Sequence, residues 1–356
     1  MQYIRFLKTP RFVYTKDRRS GVVSALITIA SDLGDTFFFQ DVALAVKLLD
    51  GKSWTSLPLS VTRYAWKAGM RTLKIELDFV IKQKEMFHRT AILSVSSEQT
   101  AADDLSQSRA AGPLVLSAYS SPFGLSGGTE AEGYVERRLI IGREKALPVW
   151  EETGESIARH IWDGGLALTV YLAQSILTSE INNKGKRLDA LDKILGLPGD
   201  LEVLELGSGC GIVGLALASL YKNCHVTLTD LPLAEEIIFK NLECSGLHGN
   251  INFKPLDWDQ NIPENLTAKP IGLIVVADCT YNASSAPSLV RVLAELSSRS
   301  PGAVILLAHK RRHDSEDVFF QLMDESFQKI EQIQRALGTY SNEEATNVDI
   351  YIFQLS

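Results

Sequence analysis

Hydrophobic positions follow two different periods along this chain. In the second half, short apolar runs alternate with helical stripes. Leu201-Glu-Val-Leu-Glu-Leu206 is an apolar strand that runs straight into a glycine-crowded turn, and Ile212 to Leu220 carries the helix that the turn opens. His225-Val-Thr-Leu-Thr229, Ile251-Asn-Phe-Lys254, Ile271-Gly-Leu-Ile-Val-Val-Ala277 and Ala303-Val-Ile-Leu-Leu-Ala308 are further strands. The run ending at Ala277 is continuously apolar, as a strand buried on both faces of a parallel sheet must be. Leu166, Val170, Ala173 and Leu177 form a helical stripe ahead of the sheet, with Asp163 as a candidate cap. Leu289, Leu293 and Leu296 form another. A helix from about Ser315 to Phe327 and a final alternating strand, Val348 to Leu355, close this half. Strands separated by helices in this way predict an α/β, Rossmann-like fold.

The first half reads by a period of two. Val22–Ala30, Val42–Leu49, Leu73–Phe79 and Ala91–Val95 are strand-like, and the third alternates cleanly. A small antiparallel sheet is expected. Ser96 to about Glu132 is rich in Ser, Ala and Gly and contains Pro113 and Pro122, with only Leu114-Val-Leu116 interrupting it. That composition predicts a partly disordered linker, after which Tyr134–Ile141 is a strand returning the chain to the second half. The expected organisation is therefore a β-rich N-terminal domain over residues 1–95, a linker over 96–132 and an α/β domain over 133–356. The N-terminal domain carries no chemistry of its own that the sequence names. It selects a substrate or partner, or it is a stabilising appendage.

Composition narrows the classes. Across 356 residues the formal net charge is −7, with an isoelectric point near 5.5, which argues against a broad nucleic-acid surface. There is no apolar stretch of about 18 residues and no secretory pattern at Met1-Gln-Tyr-Ile-Arg-Phe. A monomer in the cytoplasm is expected, with the nucleus as a second location and no membrane association. Cys210, Cys224, Cys244 and Cys279 all lie in the α/β half without C-x-x-C spacing and read as reduced, small hydrophobes. The six histidines are scattered, so no metal site is expected.

Candidate chemistry gathers at the strand ends. Gly209, Gly211 and Gly214 make a literal G-x-G-x-x-G, and glycines so placed hold an adenosine-bearing cofactor or merely let the strand and helix pack closely. A dinucleotide would set its pyrophosphate against the helix N-terminus. A carboxylate at Glu205 would repel that phosphate, whereas the cationic sulfonium of S-adenosylmethionine would welcome it. Asp230 lies about 20 residues beyond the glycines, where an acid can hold both ribose hydroxyls, although it would serve NAD equally well. Asp257 offers an acid for the adenine amino group and Trp258 an indole for its ring, unless Trp258 is a plain core aromatic. The strand ending at Ala277 leads to Asp278-Cys-Thr-Tyr281, in which Tyr281 is either part of a substrate mouth or a loop aromatic covering the strand end. All these signals fall at carboxyl ends of strands, where such sheets bind ligands.

From about Trp150 the chain resembles methyltransferase family 16, the seven-β-strand group of non-histone protein lysine methyltransferases that includes enzymes acting on elongation factors and on the valosin-containing protein chaperone. The resemblance is carried by Thr153-Gly-Glu-Ser156, Ile161-Trp-Asp-Gly-Gly165, Glu205-Leu-Gly-Ser-Gly209, Thr229-Asp230, Leu256-Asp-Trp258 and Asp278-Cys-Thr-Tyr281, in the family's order and at its spacings. It implies a class I methyltransferase sheet of seven strands whose last strand is reversed at the sheet edge, with S-adenosylmethionine as cofactor. By that resemblance Trp162 walls the cofactor pocket, Gly207, Ser208 and Gly209 approach the methionine part, Asp230 binds ribose, Trp258 contacts adenine, Ala277 lines the pocket, and Asp278 and Tyr281 form the catalytic D-x-x-Y mouth. Two departures stand out: Asp163-Gly-Gly165 is looser than the usual small-apolar run, and the turn His309-Lys-Arg-Arg-His313 is unusually charged. Lys310–Arg312 is a solvated loop face or a contact for an acidic substrate.

Methyl transfer to an amine is an in-line displacement, so alignment supplies most of the acceleration. A lysine with a reference pKa of about 10.4 is more than ~99% protonated at neutral pH, and presenting its free amine costs roughly 4–5 kcal/mol unless the site lowers that value. Desolvation and the nearby sulfonium both lower it. Asp278 and Tyr281 are thus expected to orient the amine and pass its proton to water. D-P-P-Y and N-P-P-Y loops stiffen a platform for planar nucleobases; Cys279-Thr280 in place of the prolines favours an aliphatic amine. The leading expectation is methylation of a lysine in a protein substrate, a translation factor or a chaperone. Methylation of a small-molecule amine and a non-catalytic, cofactor-binding scaffold are the alternatives.

Overall fold

The computed structural model describes residues 1–15, 20–51, 58–80, 89–98, 102–105, 115–125, 128–142, 145–154, 157–177, 187–337 and 346–356. The chain forms two compact units. The first takes in Met1–Asp104, Ala111–Leu139 and Trp150–Ser156, and the second Leu105–Ala110, Ile140–Val149 and Ile157–Ser356.

The first unit is built from β1 (Gln2–Tyr14), β2 (Ser20–Ala30), β3 (Val42–Asp50), β4 (Ser60–Trp66), β5 (Leu73–Val80), β6 (Thr90–Ser97), β7 (Val115–Leu116), β8 (Ala118–Ser120) and β9 (Phe123–Gly124), together with parts of β10 (Tyr134–Gly142) and β11 (Lys145–Glu152), within which the boundary between the units falls. One sheet runs β5-β2-β1-β7, and β8, β6, β3 and β4 follow β10 in the other. Alternation explains the strands: in β2 the odd positions Val23, Ala25, Ile27 and Ile29 are buried. Arg137 is fully buried, with Nε donating to Glu151 Oε1 at 2.7 Å, Nη1 to Ser117 O at 2.8 Å and Nη2 to Ile4 O at 2.9 Å. That guanidinium satisfies carbonyls of separate strands from one point, as a buried charge must be satisfied.

The expected linker over 96–132 is corrected here. Residues 99–101, 106–114 and 126–127 lie outside the described residues, but β7 pairs with β1, β8 with β6 and β10, and β9 with β6. The small polar residues that suggested disorder serve the backbone. Ser117 N and Oγ donate to Asp103 at 3.0 and 2.5 Å, while Ser120 Oγ accepts from Leu93 N at 3.0 Å.

The second unit is a seven-stranded sheet in the order β14-β13-β12-β15-β16-β18-β17. Its strands are β12 (Leu201–Leu206), β13 (Cys224–Asp230), β14 (Ile251–Pro255), β15 (Leu273–Ala277), β16 (Val304–His309), β17 (Phe327–Leu337) and β18 (Thr346–Leu355). Its helices are α1 (Asp163–Leu177), α2 (Asp189–Leu195), α3 (Ile212–Leu220), α4 (Glu235–Ser245), α5 (Ala286–Arg299) and α6 (Asp317–Ser326). Strands β12 to β16 are parallel and β18 is antiparallel to both neighbours, so the fold is the Rossmann-like α/β arrangement expected. Chain order reverses between β12 and β15, which opens a crevice at their carboxyl ends. The reversed strand, however, lies inside the sheet, and the edge belongs to β17, a strand the pattern did not reveal. The expected helix begins as a 3-10 turn at Asp314–Glu316 and ends at Ser326, because Phe327 is already in β17.

Candidate active site

The turn between β12 and α3 is left-handed at Gly207, Gly209 and Gly211, with φ of 63°, 54° and 76°. Gly207 is the crossing point. A Cβ there would lie 2.5 Å from Cys279 Sγ and 3.1 Å from Trp258 Cζ2, so the chain leaving β12, β14 and β15 converges on one residue. Gly209 N donates to Asp230 Oδ2 at 2.8 Å and Leu231 N to its Oδ1 at 2.7 Å, which ties the end of β13 to the same turn. Burial raises the Asp230 carboxyl, and each oxygen keeps acceptor capacity for a hydroxyl. Ser208 is 6% exposed and its Oγ is buried with no hydrogen-bond partner among the described residues. A cradle that no side chain could fill, beside an unsatisfied hydroxyl and a carboxylate with spare lone pairs, fits the polar end and the ribose of S-adenosylmethionine.

Glu205 stands differently from its expected place. It is 2% exposed, accepts from Gly214 N at 2.8 Å behind the glycine turn, and is pushed up to about 8 by burial. Burial thus disfavours its charge, which weakens both the phosphate repulsion and the sulfonium attraction that the sequence suggested. Its role is packing: a Cβ on Gly214 would lie 2.6 Å from Glu205 Oε2 and 2.3 Å from Leu228 Cδ2, so only glycine lets α3 seat on the sheet.

Around this turn, Trp258 is partly buried against the apolar cluster under α5, and Arg291 Nη2 donates to its carbonyl at 2.5 Å. Asp257 Oδ1 accepts from Asp259 N at 2.9 Å, which shapes the loop after β14. Ala277 ends β15 half-buried. Trp162 precedes α1, with His160 edge-on at 6.4 Å. Glu155 and Ser156 of the Thr153–Ser156 signature lie outside the described residues.

Asp278 is the best-held group of the site. It is buried and is the one described non-glycine residue with positive φ, 54°. Its Oδ2 accepts from Gly164 N at 2.6 Å and Arg312 Nη2 at 3.0 Å, and its Oδ1 from Arg312 Nη1 at 3.1 Å and Lys310 N at 3.2 Å. The looseness of Asp163-Gly-Gly165 has its reason here: a Cβ on Gly164 would meet Asp278 Cγ at 2.5 Å. Lys310 Nζ donates to Asp163 Oδ2 at 2.8 Å. The expectation that Lys310–Arg312 faces solvent or meets an acidic substrate is therefore corrected. Two of its three cations are spent on internal carboxylates, and Arg311 alone stays on the surface, paired with Asp314 and Asp317. Tyr281 is half-exposed beside this corner, and partial burial raises its phenol. Thr280 Oγ1 lies 2.8 Å from His309 Nδ1, and burial lowers the imidazole, which holds it neutral.

The strand ends thus bring Gly207, Ser208, Gly209, Asp230, Trp258 and Asp278 to one crevice. The sequence missed Gly164, Lys310, Arg312 and His309 as partners of that corner; only the unusual charge of the turn after β16 hinted at them.

Comparison with known proteins is consistent with this geometry. A model of the family described as lysine methyltransferase matches residues 142–326, more than half of the chain. The UPF0665 family protein C23C4.06c of Schizosaccharomyces pombe is 29% identical over 325 residues, covering 89% of this chain and 91% of that protein. Protein-lysine N-methyltransferase EFM6 of Saccharomyces cerevisiae is 27% identical over 202 residues, covering 52% of this chain and 77% of that one. EEF1A lysine methyltransferase 3 of Mus musculus is 31% identical over 226 residues, covering 63% and 83%. A crevice built for a sulfonium cofactor, in a segment that matches this family from β10 to α6, has one reading: the chain belongs to the lysine methyltransferase family.

Proposed function

We propose that this S-adenosylmethionine-dependent protein lysine methyltransferase acts on a component of the translation machinery, as a monomer in the cytoplasm. The observation that carries the site assignment is the convergence at Gly207, where the residues that would hold the cofactor touch the first residues of the Asp278–Tyr281 loop. The mouse relative named for EEF1A supports a translation factor as substrate.

Gly207 to Gly209, the Ser208 hydroxyl, Asp230, Trp258, Ala277 and Trp162 are the groups that would hold the cofactor, which supplies an electrophilic methyl on a cationic sulfur. The chain does the rest by placement. Asp278 fixes the loop after β15, and Tyr281 flanks the mouth with a phenol that stays protonated at neutral pH, so it can orient an amine through its oxygen without acting as a base. Asp278 is not free to serve as a strong base, since four N–H donors fill its carboxylate. The acceptor's proton leaves to water, helped by desolvation in the crevice.

The test is incubation of the purified chain with labelled donor and a proteome that lacks the endogenous protein. A labelled protein band, with the label on a lysine by mass spectrometry and the protein a translation factor, is expected. Label confined to the small-molecule fraction would overturn the protein substrate, and label on an unrelated protein would overturn the translation assignment.

A further inference from the structure

Asp278 belongs to a D-x-x-Y mouth, yet its carboxylate has no room for a substrate. A carboxylate offers about four lone-pair sites, and four chain donors reach it: Gly164 N, Lys310 N and both Nη atoms of Arg312. Asp278 therefore acts on the acceptor through the shape it gives its loop. That shape is a left-handed one, φ 54° at a non-glycine residue, and such a conformation persists only where surrounding contacts over-determine it.

Arg312 supplies two of those contacts and one more besides. Its guanidinium carbon lies 5.6 Å from the ring centroid of Trp162, within cation–π range. Both its backbone and its side chain are fixed in turn: Arg312 N donates to Glu316 Oε2 at 3.1 Å, and Nη1 also donates to Lys310 O at 3.2 Å. Beside it, Lys310 ties Asp163 in the first turn of α1. One side chain from the turn after β16 thus grips the acceptor loop with its fork and covers an aromatic of the donor wall with its face.

We propose that Arg312 is a positioning residue for methyl transfer, whose bidentate grip on Asp278 and contact with Trp162 hold the Asp278–Tyr281 loop and the Trp162 wall in register. The proposal rests on reading Asp278–Tyr281 as the acceptor mouth. A planar fork is needed because the two oxygens are met by two nitrogens at nearly equal distance, and an ammonium cannot reproduce that.

The full chain and its Arg312→Ala, Arg312→Lys and Arg311→Ala variants are compared by turnover at saturating S-adenosylmethionine, with the protein labelled in the proteome assay as acceptor, and by amide hydrogen exchange. Arg312→Ala is expected to lower kcat about 100-fold or more, the scale on which misplacement of reacting groups costs rate. Arg312→Lys, which keeps the charge and is the milder test if the alanine variant is unstable, should recover about a tenth of the wild-type rate at most. Added guanidinium ion should partly restore Arg312→Ala, and Arg311→Ala should stay within about twofold of wild type. In both Arg312 variants amide exchange over residues 279–282 should quicken while that of α3 stays unchanged. Wild-type turnover in Arg312→Lys, or unchanged exchange over 279–282, would overturn the proposal. Absence of lysine methylation by the wild-type chain would overturn the function instead and leave the exchange result to decide this point by itself.

Discussion

Two carboxylates sit a few residues from the crevice, nearly equally hidden, and the fold treats them in opposite ways. Glu205 is 2% exposed and its carboxyl accepts from Gly214 N, and burial pushes it up to about 8. Asp278 is 6% exposed but meets a guanidinium fork and two backbone N–H groups. The difference teaches that a motif acid in this sheet is not a charge until its donors are known. At the donor corner the acid is a packing group under α3; at the acceptor corner it is the keystone that joins α1, β15 and the turn after β16.

The comparison can be broken hardest at Asp278. Asp278→Asn leaves Arg312 facing a neutral amide in a largely buried place, and chemical unfolding should show a loss of about 3 kcal/mol, the scale of a broken buried pair. Glu205→Gln should behave the other way. The folded Glu205 carboxyl holds its proton up to about pH 8, while the unfolded one releases it near its ordinary value of 4.5. Between those values the folded state binds the extra proton, so stability falls as pH rises through the window and is greatest below it. On the order of a few kcal/mol is at stake, at about 1.4 kcal/mol per pH unit. Melting curves from pH 5 to 9 should therefore decline more steeply for wild type than for Glu205→Gln, and parallel curves would remove the contrast. Gly164→Ala sharpens it from the other side of the keystone: the new methyl meets the Asp278 carboxylate, and overpacking should cost about 1–3 kcal/mol with a larger loss in kcat. Smallest of all is Arg311→Ala, which removes an exposed pair and should leave the chemical-unfolding midpoint indistinguishable from wild type.

What was legible in the sequence follows from what was local. The glycine turn, Asp230 and the Asp278–Tyr281 loop announce themselves because strand, turn and acid lie within a few residues of one another. The clasp on Asp278 does not, since Gly164 and Arg312 come from 114 and 34 residues away. Strand β17 was hidden for another reason. Its apolar residues Phe327, Ile330, Ile333 and Ala336 recur every three positions, a helix-like spacing, and as an exposed edge it takes its form from pairing with β18, register shift at Lys329/Glu331 included. Likewise the Ser- and Gly-rich stretch before β10 imitates a linker, because its serines meet partners distant along the chain: Ser117 pairs with Asp103, 14 residues back, and Ser120 with Leu93, 27 residues back and outside the stretch.

The central claim is a division of labour between the two corners, with the cofactor held at Gly207–Asp230 and the amine at Asp278–Tyr281. Calorimetric titration of S-adenosylhomocysteine into Asp230→Ala and Tyr281→Ala, alongside their turnover, tests it directly. Asp230→Ala should weaken binding about tenfold or more, equivalent to ~1.4 kcal/mol, while Tyr281→Ala binds as the wild type does and loses turnover. Wild-type binding by Asp230→Ala, or lost binding in Tyr281→Ala, would contradict the account.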